Sequence, residues 1–383
     1  MAIIHLLTPE YPPKVGGVAD YTRVVARGLA DEGEDVHVWC ASDGKGSAGD
    51  RFAVHPDLGQ FRRADLAHTG KCLDAFPRPR RLIVQWVPHA YGFRAMNLGF
   101  CLWLWTRASR GDDIELMVHE PYLAFWEGSW RQTAGAIVHR LMTVMLLQSA
   151  RRVWVAIPAW ESMWKPYTLG RVVPFAWLPI PSGLPPPDAS AVGAVRAKFG
   201  AQSRPLIGHL GTYGSLVAPL LTAAIVEILR QPRPPRVLLI GAGSVQFRAS
   251  LLARHPEYTD VNDSTGPLDE LHLAAHVAAC DLLVQPYPDG ISSRRTSAMA
   301  ALSLGVPLVT TRGRLTESLW ADSGAVRLAA VGDVDGMAGQ VEELLRSPEP
   351  ARRLGEAGRA LYVRTFDVNR TIGALRNAPR RAA

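Results

Sequence analysis

Short apolar segments alternate with amphipathic segments along the chain. The first, "AIIHLL", precedes a loop rich in proline and glycine, the amphipathic segment "TRVVARGLADEG" and a second apolar segment, "DVHVWCAS". This order of strand, loop, helix and strand predicts a βαβ unit and hence a parallel sheet. Further predicted strands are "RLIVQWV", "ELMVHE" and "RRVWVAI", with a long apolar helix over residues 134–150.

The same alternation resumes after a proline-rich segment. "LPIPSGLPPPD", from Leu178 to Asp188, contains many residues that break helices and strands, so we interpret it as a linker. The strands "PLIGHLG", "RVLLIGAG", "DLLVQPY" and "VPLVTT" then follow, with helices between them. We therefore predict an α/β protein with two Rossmann-like domains facing a central cleft, at residues 1–180 and 204–360, joined by a linker region at 181–203.

Composition narrows the class of protein. A chain of 383 residues is too long for one ordinary core, and 48% hydrophobic with 20% charged residues is typical of a compact soluble protein. The net charge of +7 favours an anionic partner. The basic residues are scattered as pairs rather than gathered in a tail, so we expect no nucleic acid partner.

Cysteine usage and hydropathy bear on location. Four cysteines without a CxxC motif indicate free thiols in a reduced compartment. The amino terminus lacks the features of a signal peptide, and no apolar stretch reaches the ~18 residues of a membrane span. We expect a cytoplasmic protein. A peripheral contact with an anionic membrane stays open, because tryptophans lie near basic residues: Trp103, Trp105, Trp126 and Trp130 with Arg107 and Arg110.

Loops that follow strands are where open parallel sheets bind ligands. "PPKVGGVADY" places Gly16 and Gly17 before a helix, where the backbone approaches an anion easily. "LIGAGS" lacks the third glycine and the later acidic residue of a dinucleotide site, which argues against NAD. His272 and His276 lie one helical turn apart without a third ligand, so no metal site is predicted there.

The loop "PYPDGISSRRTS" carries the strongest signal for an anion. Arg294 and Arg295 stand at the predicted start of a helix, where free N–H groups and the helix dipole add positive charge. Serine and threonine hydroxyls surround them. The combination suits a diphosphate, and an N-cap serine beside two exposed arginines is the alternative.

Several of these loops together resemble one family. "EYPPKVGGVADYTRVVARGLADEGEDVHV", "MVHEP", "TGPLDELHLAAHVAACDLLVQPYPDG" and "LGVPLVTTRGRLTESL" are similar, in this order, to the motifs of retaining glycosyltransferases of family 4 (glycosyl transferases group 1), which have the two-domain GT-B architecture. The resemblance implies a hexosyltransferase that moves a sugar from a nucleotide-diphosphate sugar to a hydroxyl acceptor, without a metal or other cofactor. It also implies that a final helix, at 361–383, packs back on the first domain.

The resemblance carries roles to matching residues. His119 would contact the donor sugar near the reacting carbon, and Asp289 would occupy the first acidic position of the family's E-x7-E motif. The other donor-site positions are Gly16, Gly17, His209, Thr212, Gly241, Gly266, Ser292, Ser293, Arg294, Arg295, Thr296 and Glu317. Candidates for the acceptor side are Glu10, Tyr21, Gln85, His89, Tyr91 and Arg94.

Two departures from the family pattern change the expected chemistry. Ser297 stands where E-x7-E has its second glutamate. The family's arginine and lysine after the first strand of the second domain are also missing, and His209, Thr212 and Tyr213 lie there instead. Arg294 and Arg295 would then supply the missing charge. An enzyme of other chemistry on this fold (an epimerase, a phosphorylase or a pseudo-glycosyltransferase) and a non-catalytic binding protein are the alternatives.

Overall fold

The computed structural model describes residues 3–14, 16–47, 49–125 and 130–379. The chain forms two compact units. The first contains the residues up to Ile180 and the segment from Val368 onward, and the second runs from Pro181 to Asp367.

The first unit is built on a seven-stranded parallel sheet. Its strands, in the spatial order β3-β2-β1-β4-β5-β6-β7, are β1 (Ile3–Leu7), β2 (Asp35–Ala41), β3 (Ala53–Gly59), β4 (Arg81–Trp86), β5 (Asp113–Val118), β6 (Ala150–Val155) and β7 (Phe175–Trp177). Every residue of β4 and β5 is buried, as expected for strands covered by helices on both faces. The covering helices are α1 (Gly17–Asp31), α2 (Arg63–Asp74), α3 (Leu98–Ser109), α4 (Trp130–Ser149) and α5 (Pro158–Trp164).

The second unit is also built on a parallel sheet, here with six strands. In the order β10-β9-β8-β11-β12-β13 these are β8 (Leu206–Leu210), β9 (Arg236–Ile240), β10 (Asn262–Ser264), β11 (Leu282–Gln285), β12 (Leu308–Arg312) and β13 (Arg327–Ala330). Its helices are α6 (Ala189–Lys198), α7 (Ala218–Leu229), α8 (Ser244–Leu252), α9 (Glu270–Ala278), α10 (Thr296–Leu304), α11 (Ser318–Asp322), α12 (Val334–Arg346) and α13 (Pro348–Leu361).

The segment predicted as a linker region, 181–203, needs a correction. It contains α6, whose first turn is capped by Asp188: the carboxylate accepts a hydrogen bond from the N–H of Ala191. Val195 and Phe199 from this segment join the apolar core of the second unit. The segment is therefore part of a folded unit.

The last helix, α14 (Val368–Asn377), lies against α1 within the first unit. Ile372 packs over Gly28, where an added Cβ would lie 2.8 Å from the isoleucine side chain. Arg376 forms ion pairs with Glu32 at 2.6 Å and with Glu34 at 3.1 Å. This return segment begins at Val368, later than the predicted boundary of 361, because residues before it stay with the second unit.

Two buried arginines share one buried carboxylate in the first unit. Asp112 accepts a hydrogen bond from Arg80 Nε at 2.7 Å and from Arg107 Nε at 2.5 Å, and all three side chains are at most 2% exposed. Arg107 is therefore buried and unable to contact a membrane, whereas the sequence analysis counted it among the basic residues for such a contact. Within the described ranges, no helix is both long and apolar enough to cross a bilayer.

Removing the Asp112 carboxylate tests how much the first unit depends on this ion cluster. We expect Asp112→Ala to lower the free energy of unfolding by about 3–5 kcal/mol, because two buried guanidinium groups would lose their buried counter-ion and keep only the half-exposed Asp74, at 3.0 Å from each. Asp31→Ala, which breaks an exposed pair with Arg51, serves as the control and should cost about 0–1 kcal/mol. Urea unfolding measures both, and equal effects would contradict the prediction.

Candidate functional site

Both sheets have the strand order of a Rossmann fold. In each, the chain reverses direction across the sheet between two central strands: β1 and β4 in the first unit, β8 and β11 in the second. Ligands of open parallel sheets bind beside such switch points, outside the carboxyl ends of the strands.

At the edge of the first sheet, three predicted residues lie together. His119 follows β5, and its Nε2 lies 2.8 Å from Oε1 of Gln85 on β4. The ring of Tyr21, on α1, meets the histidine ring edge-on at 4.9 Å between centroids. All three side chains are buried.

His119 is a neutral histidine at pH 7. Burial lowers its pKa from 6.5 to about 3, because the charged ring would lose its hydration. The contact with the amide oxygen of Gln85 requires Nε2–H as the donor. Nδ1 therefore carries the lone pair, and it is able to accept a hydrogen bond from a hydroxyl group.

The loop after β1 brings a carboxylate to the start of α1. Gly16 precedes the helix, and a Cβ added there would overlap Oε1 of Glu10. Among the residues that the structure describes, no atom lies within 4 Å of a Cβ added at Gly17. Glu10 also pairs with Lys14 at 3.9 Å.

The other acceptor-side candidates are either exposed or fully buried. His89 and Arg94 are exposed on the segment after β4. Tyr91 is fully buried: its hydroxyl donates to the backbone oxygen of Gln85 at 2.7 Å, and its ring stacks on Phe100 at 4.3 Å. Tyr91 supports the strand end, and the prediction that it contacts an acceptor is wrong because its surface and its hydroxyl are already used.

At the edge of the second sheet, one carboxylate holds both predicted arginines. Oδ2 of Asp289 lies 2.6 Å from Nη2 of Arg294, and Oδ1 forms an ion pair with Arg295. The three side chains are 13–21% exposed. The sequence analysis did not predict that Asp289 pairs with both arginines.

The charges in this cluster depend on one another. Burial alone would raise the pKa of Asp289, but the charges of Arg295 and Arg294 hold it below its usual value. Burial, together with the neighbouring Arg294, lowers the pKa of Arg295. Two cations and one anion leave a net charge of +1 beside the amino terminus of α10. An added anion is therefore favoured here.

An aromatic ring supports the second arginine. The guanidinium of Arg295 lies 4.6 Å from the centre of the Tyr287 ring, a cation–π contact. The Tyr287 hydroxyl lies 2.8 Å from Oγ of Ser297. Sequence reasoning did not identify Tyr287, although its position directly after β11 was a usable signal.

Glu317 connects the arginine loop to α11. Its Oε1 accepts from the N–H and the hydroxyl of Ser293, at 3.0 and 2.5 Å, and its Oε2 accepts from Nε1 of Trp320 at 2.7 Å. Ser292 is fully buried, and its hydroxyl has no partner in the part of the chain that the structure describes. Glu317 is thus a loop anchor. Trp320, which the sequence analysis did not identify, is a buried core residue that orients this carboxylate.

The remaining donor-side candidates come from neighbouring loops. His209 is buried, its Nδ1–H donates to the Val284 backbone oxygen at 2.8 Å, and burial lowers its pKa to about 4. Gly266 donates its N–H to Ser244 at 2.9 Å, while Thr212 and Thr296 are exposed. Gly241, at φ +105°, would meet the backbone oxygen of Gly211 at 2.8 Å if it carried a Cβ.

Parts of the chain are similar to known proteins. The family model "Glycosyl transferases group 1" matches residues 204–347, which span all six strands of the second unit. This part of the chain is therefore similar to the glycosyl transferases group 1 family.

Individual proteins resemble the chain over different lengths. An MMP alpha-(1->4)-mannosyltransferase of Mycolicibacterium hassiacum is 37% identical over 108 residues, 28% of this chain and only a quarter of that protein. Sucrose-phosphate synthase from Thermosynechococcus elongatus shares the fold with a TM-score of 0.76 at 15% identity, covering 98% of this chain and 97% of its own. Anabaena HepE, solved with UDP and glucose, gives 0.71 at 15% identity, covering 98% of each chain. The solved structures confirm the GT-B fold.

In the second unit, two glycines, Gly290 and Gly313, hold the loop that carries Asp289 against the loop that follows β12. Leu315 donates its N–H to the backbone oxygen of Asp289 at 3.0 Å. Gly290 has φ +85°, and a Cβ there would overlap Thr316 Oγ1 and the nitrogen of Gly313. A Cβ on Gly313 would lie 2.6 Å from the Asp289 carbonyl carbon. The position of Asp289 depends on this close approach of two backbones.

Gly290→Ala tests that dependence. Gly332 is a matched control, because its φ is +87° but no atom of the described ranges lies within 4 Å of an added Cβ. Gly332→Ala should cost only the backbone strain, about 1–2 kcal/mol. We expect Gly290→Ala to cost at least about 1 kcal/mol more, because the loops must separate. Urea unfolding measures the difference, and equal costs would show that the loops are not tightly held.

Proposed function

We propose that this protein is a glycosyltransferase that moves a sugar from a nucleotide-diphosphate sugar to a hydroxyl acceptor. The family match supports the reaction class. Anabaena HepE, which shares the fold, has been solved with UDP and with UDP-glucose. The observation that carries the proposal is the pair Arg294 and Arg295, held by Asp289 at the switch-point edge of the second sheet.

The donor diphosphate takes over the two arginines from Asp289. A diphosphate presents several anionic oxygens, and guanidinium groups bind such oxygens through paired hydrogen bonds. The first turn of α10, which has no capping hydrogen bond from the side chain of its N-cap residue, and the buried hydroxyl of Ser292 add further donors. Once released, the carboxylate of Asp289 accepts hydrogen bonds from hydroxyl groups of the transferred sugar.

The same arginines stabilise the leaving group. When the bond between the anomeric carbon and the diphosphate breaks, negative charge grows on the phosphate oxygens, and fixed cations lower the energy of that state. His209 supplies no charge at pH 7, because burial lowers its pKa to about 4. The cations therefore come from the loop after β11. We propose that the transfer itself uses no metal, since this pair fills the role that a divalent cation has in other transferases.

Substitutions in the cluster test the donor site. We expect Arg294→Ala and Arg295→Ala each to weaken nucleoside diphosphate binding about ten- to a hundredfold, because each removes a charge-assisted contact. Asp289→Asn should have the opposite effect on the nucleoside diphosphate, because the arginines lose their competing anion. It should also remove the extra affinity contributed by the sugar. Calorimetric titration with UDP, GDP, ADP and dTDP, and with their glucose and mannose conjugates, measures both effects.

Arg346→Ala is the control, because it removes an exposed arginine whose pair with Glu342 lies on α12. It should leave binding unchanged. Unchanged affinity in both cluster variants would contradict the proposed site. Equal losses for the free diphosphate and its sugar conjugate in Asp289→Asn would contradict the role given to the carboxylate.

The edge of the first sheet is the proposed sugar and acceptor side. His119 is neutral, oriented by Gln85, and has a lone pair on Nδ1 for a sugar hydroxyl. Glu10, His89 and Arg94 are polar groups in the loops beside it. These groups suit a polyhydroxylated substrate.

We further propose that the configuration of the anomeric carbon is retained, as in the family that the motifs resemble. Attack of the acceptor on the face that the diphosphate leaves gives this result. Proton NMR of the product from a ¹³C-labelled α-linked donor should show an α-linked sugar on the acceptor. A β-linked product would contradict retention, and a rearranged sugar without transfer would favour an epimerase.

The first unit also offers an apolar surface for a membrane. We define the α3/α4 patch as the exposed side chains Leu98, Leu102, Trp105, Ile137 and Leu141, with Trp130 at the start of α4. The helices α3 and α4 pack side by side, and the exposed Arg94, Arg110 and Arg131 lie in or next to them. Trp126 lies outside the described residues. Apolar groups with a basic rim suit the interface of an anionic bilayer, where a lipid-linked acceptor would be found.

Vesicle binding tests the α3/α4 patch. The protein should sediment with vesicles of phosphatidylglycerol and phosphatidylcholine, and less with phosphatidylcholine alone, because anionic lipid attracts the arginines. The double variant Leu102→Ser, Trp105→Ser should reduce vesicle binding several-fold, because it removes apolar surface that the membrane would bury. Leu271→Ser removes an exposed leucine from α9 in the second unit and is the control. Binding that is unaffected by the patch variant would contradict the assignment.

A further inference from the structure

Three potential metal ligands converge in the first unit. Asp57 is on β3, and His68 and Cys72 are on α2. Nε2 of His68 lies 3.2 Å from Oδ1 of Asp57 and 3.6 Å from Sγ of Cys72. The three ligand atoms all lie within 4.8 Å of one another.

Local structure holds these side chains on one surface. His68 and Cys72 are four residues apart, which places them on the same face of α2. A hydrogen bond also holds α2 to β3 at this point: Oγ1 of Thr69 donates to the backbone oxygen of Asp57 at 2.7 Å. The side chain of His68 is 62% exposed and that of Asp57 28%, so an ion from solvent reaches them.

Hydrogen bonding does not satisfy this cluster. Both neighbours contact the same ring nitrogen, Nε2 of His68, which in a neutral ring has either a proton or a lone pair. With a proton it donates to Asp57 and leaves the Cys72 thiol without an acceptor. With a lone pair it accepts from the thiol and faces the carboxylate. A catalytic Cys-His-Asp relay would use opposite nitrogens of the ring, so this geometry does not suit one.

A metal ion removes the conflict, because it accepts a lone pair from each of the three groups. In tetrahedral zinc sites the bonds are about 2.0–2.1 Å to nitrogen, about 2.0–2.2 Å to oxygen and about 2.3 Å to sulfur. At the tetrahedral angle these lengths separate sulfur from nitrogen by about 3.6 Å and oxygen from nitrogen by about 3.4 Å. The observed separations are 3.6 Å and 3.2 Å, so a small movement of the carboxylate completes the geometry.

We propose that Asp57, His68 and Cys72 form a site for Zn²⁺ or a metal of similar softness, with water as the fourth ligand. Binding releases the Cys72 thiol proton, and the thiolate favours zinc over magnesium. His55 stands behind the carboxylate: its Nδ1 lies 3.9 Å from Oδ2 of Asp57, and its Nε2 lies 2.9 Å from Nδ1 of His37. The ion joins α2 to β3 and has no part in the proposed sugar transfer.

Alkylation of Cys72 tests the site, because the other three cysteines (Cys40, Cys101 and Cys280) are buried. The full chain is stripped with a chelator, returned to Zn²⁺ or Mg²⁺, treated with iodoacetamide and analysed by peptide mass spectrometry. We expect one equivalent of Zn²⁺ to slow alkylation of Cys72 at least tenfold and Mg²⁺ to leave it unchanged. His68→Ala and Asp57→Asn should lose this protection.

His272→Ala is the matched control, because His272 on α9 also pairs with an aspartate, Asp269, but has no cysteine beside it. This variant should keep the protection of Cys72 by Zn²⁺. Co²⁺ gives an independent readout, because a thiolate–cobalt absorption band should appear in the unsubstituted protein and be absent in Cys72→Ser. Equal alkylation with and without Zn²⁺, or protection that survives His68→Ala, would overturn the proposal.

Discussion

The ion cluster of Asp289, Arg294 and Arg295 is the interaction on which the account of this protein depends. A partly buried carboxylate shared by two guanidinium groups keeps both cations in the loop at low electrostatic cost. The cluster retains one positive charge and lies next to a helix amino terminus. An anion with more negative charge than one carboxylate can therefore replace Asp289 as the partner of the two arginines. When a diphosphate does so, the ion cluster becomes a substrate site.

The backbone fixes the position of the ion cluster. Parallel strands end at one edge, and the reversal between β8 and β11 opens a place for a ligand there. Gly290 and Gly313 allow two loops to touch, and Glu317 fixes Ser293 to Trp320. The cations are held by packing and hydrogen bonds before any donor arrives. Such preorganisation reduces the cost of ordering side chains on binding.

The sequence predicted the fold well because strand and helix periodicity are local properties, and the family resemblance supplied the architecture. Helix α6 was missed because proline density outweighed the cap at Asp188. The arginines were identified from their place after a strand, but their pairing with Asp289 was not, since loop contacts five and six residues apart follow no periodicity. Trp320 and the grouping of Asp57 with His68 arise from tertiary packing, which a single sequence does not display.

Thermal unfolding of the protein with nucleoside diphosphates tests the central claim most directly. UDP, GDP, ADP, dTDP and NAD are each added at saturating concentration, with EDTA and with magnesium. A ligand at a hundred times its Kd stabilises the folded state by about 2.7 kcal/mol, which raises the melting temperature measurably. The account predicts that one nucleoside diphosphate raises it and that the shift persists in EDTA. No shift with any nucleoside diphosphate, or a shift with NAD alone, would contradict the donor site.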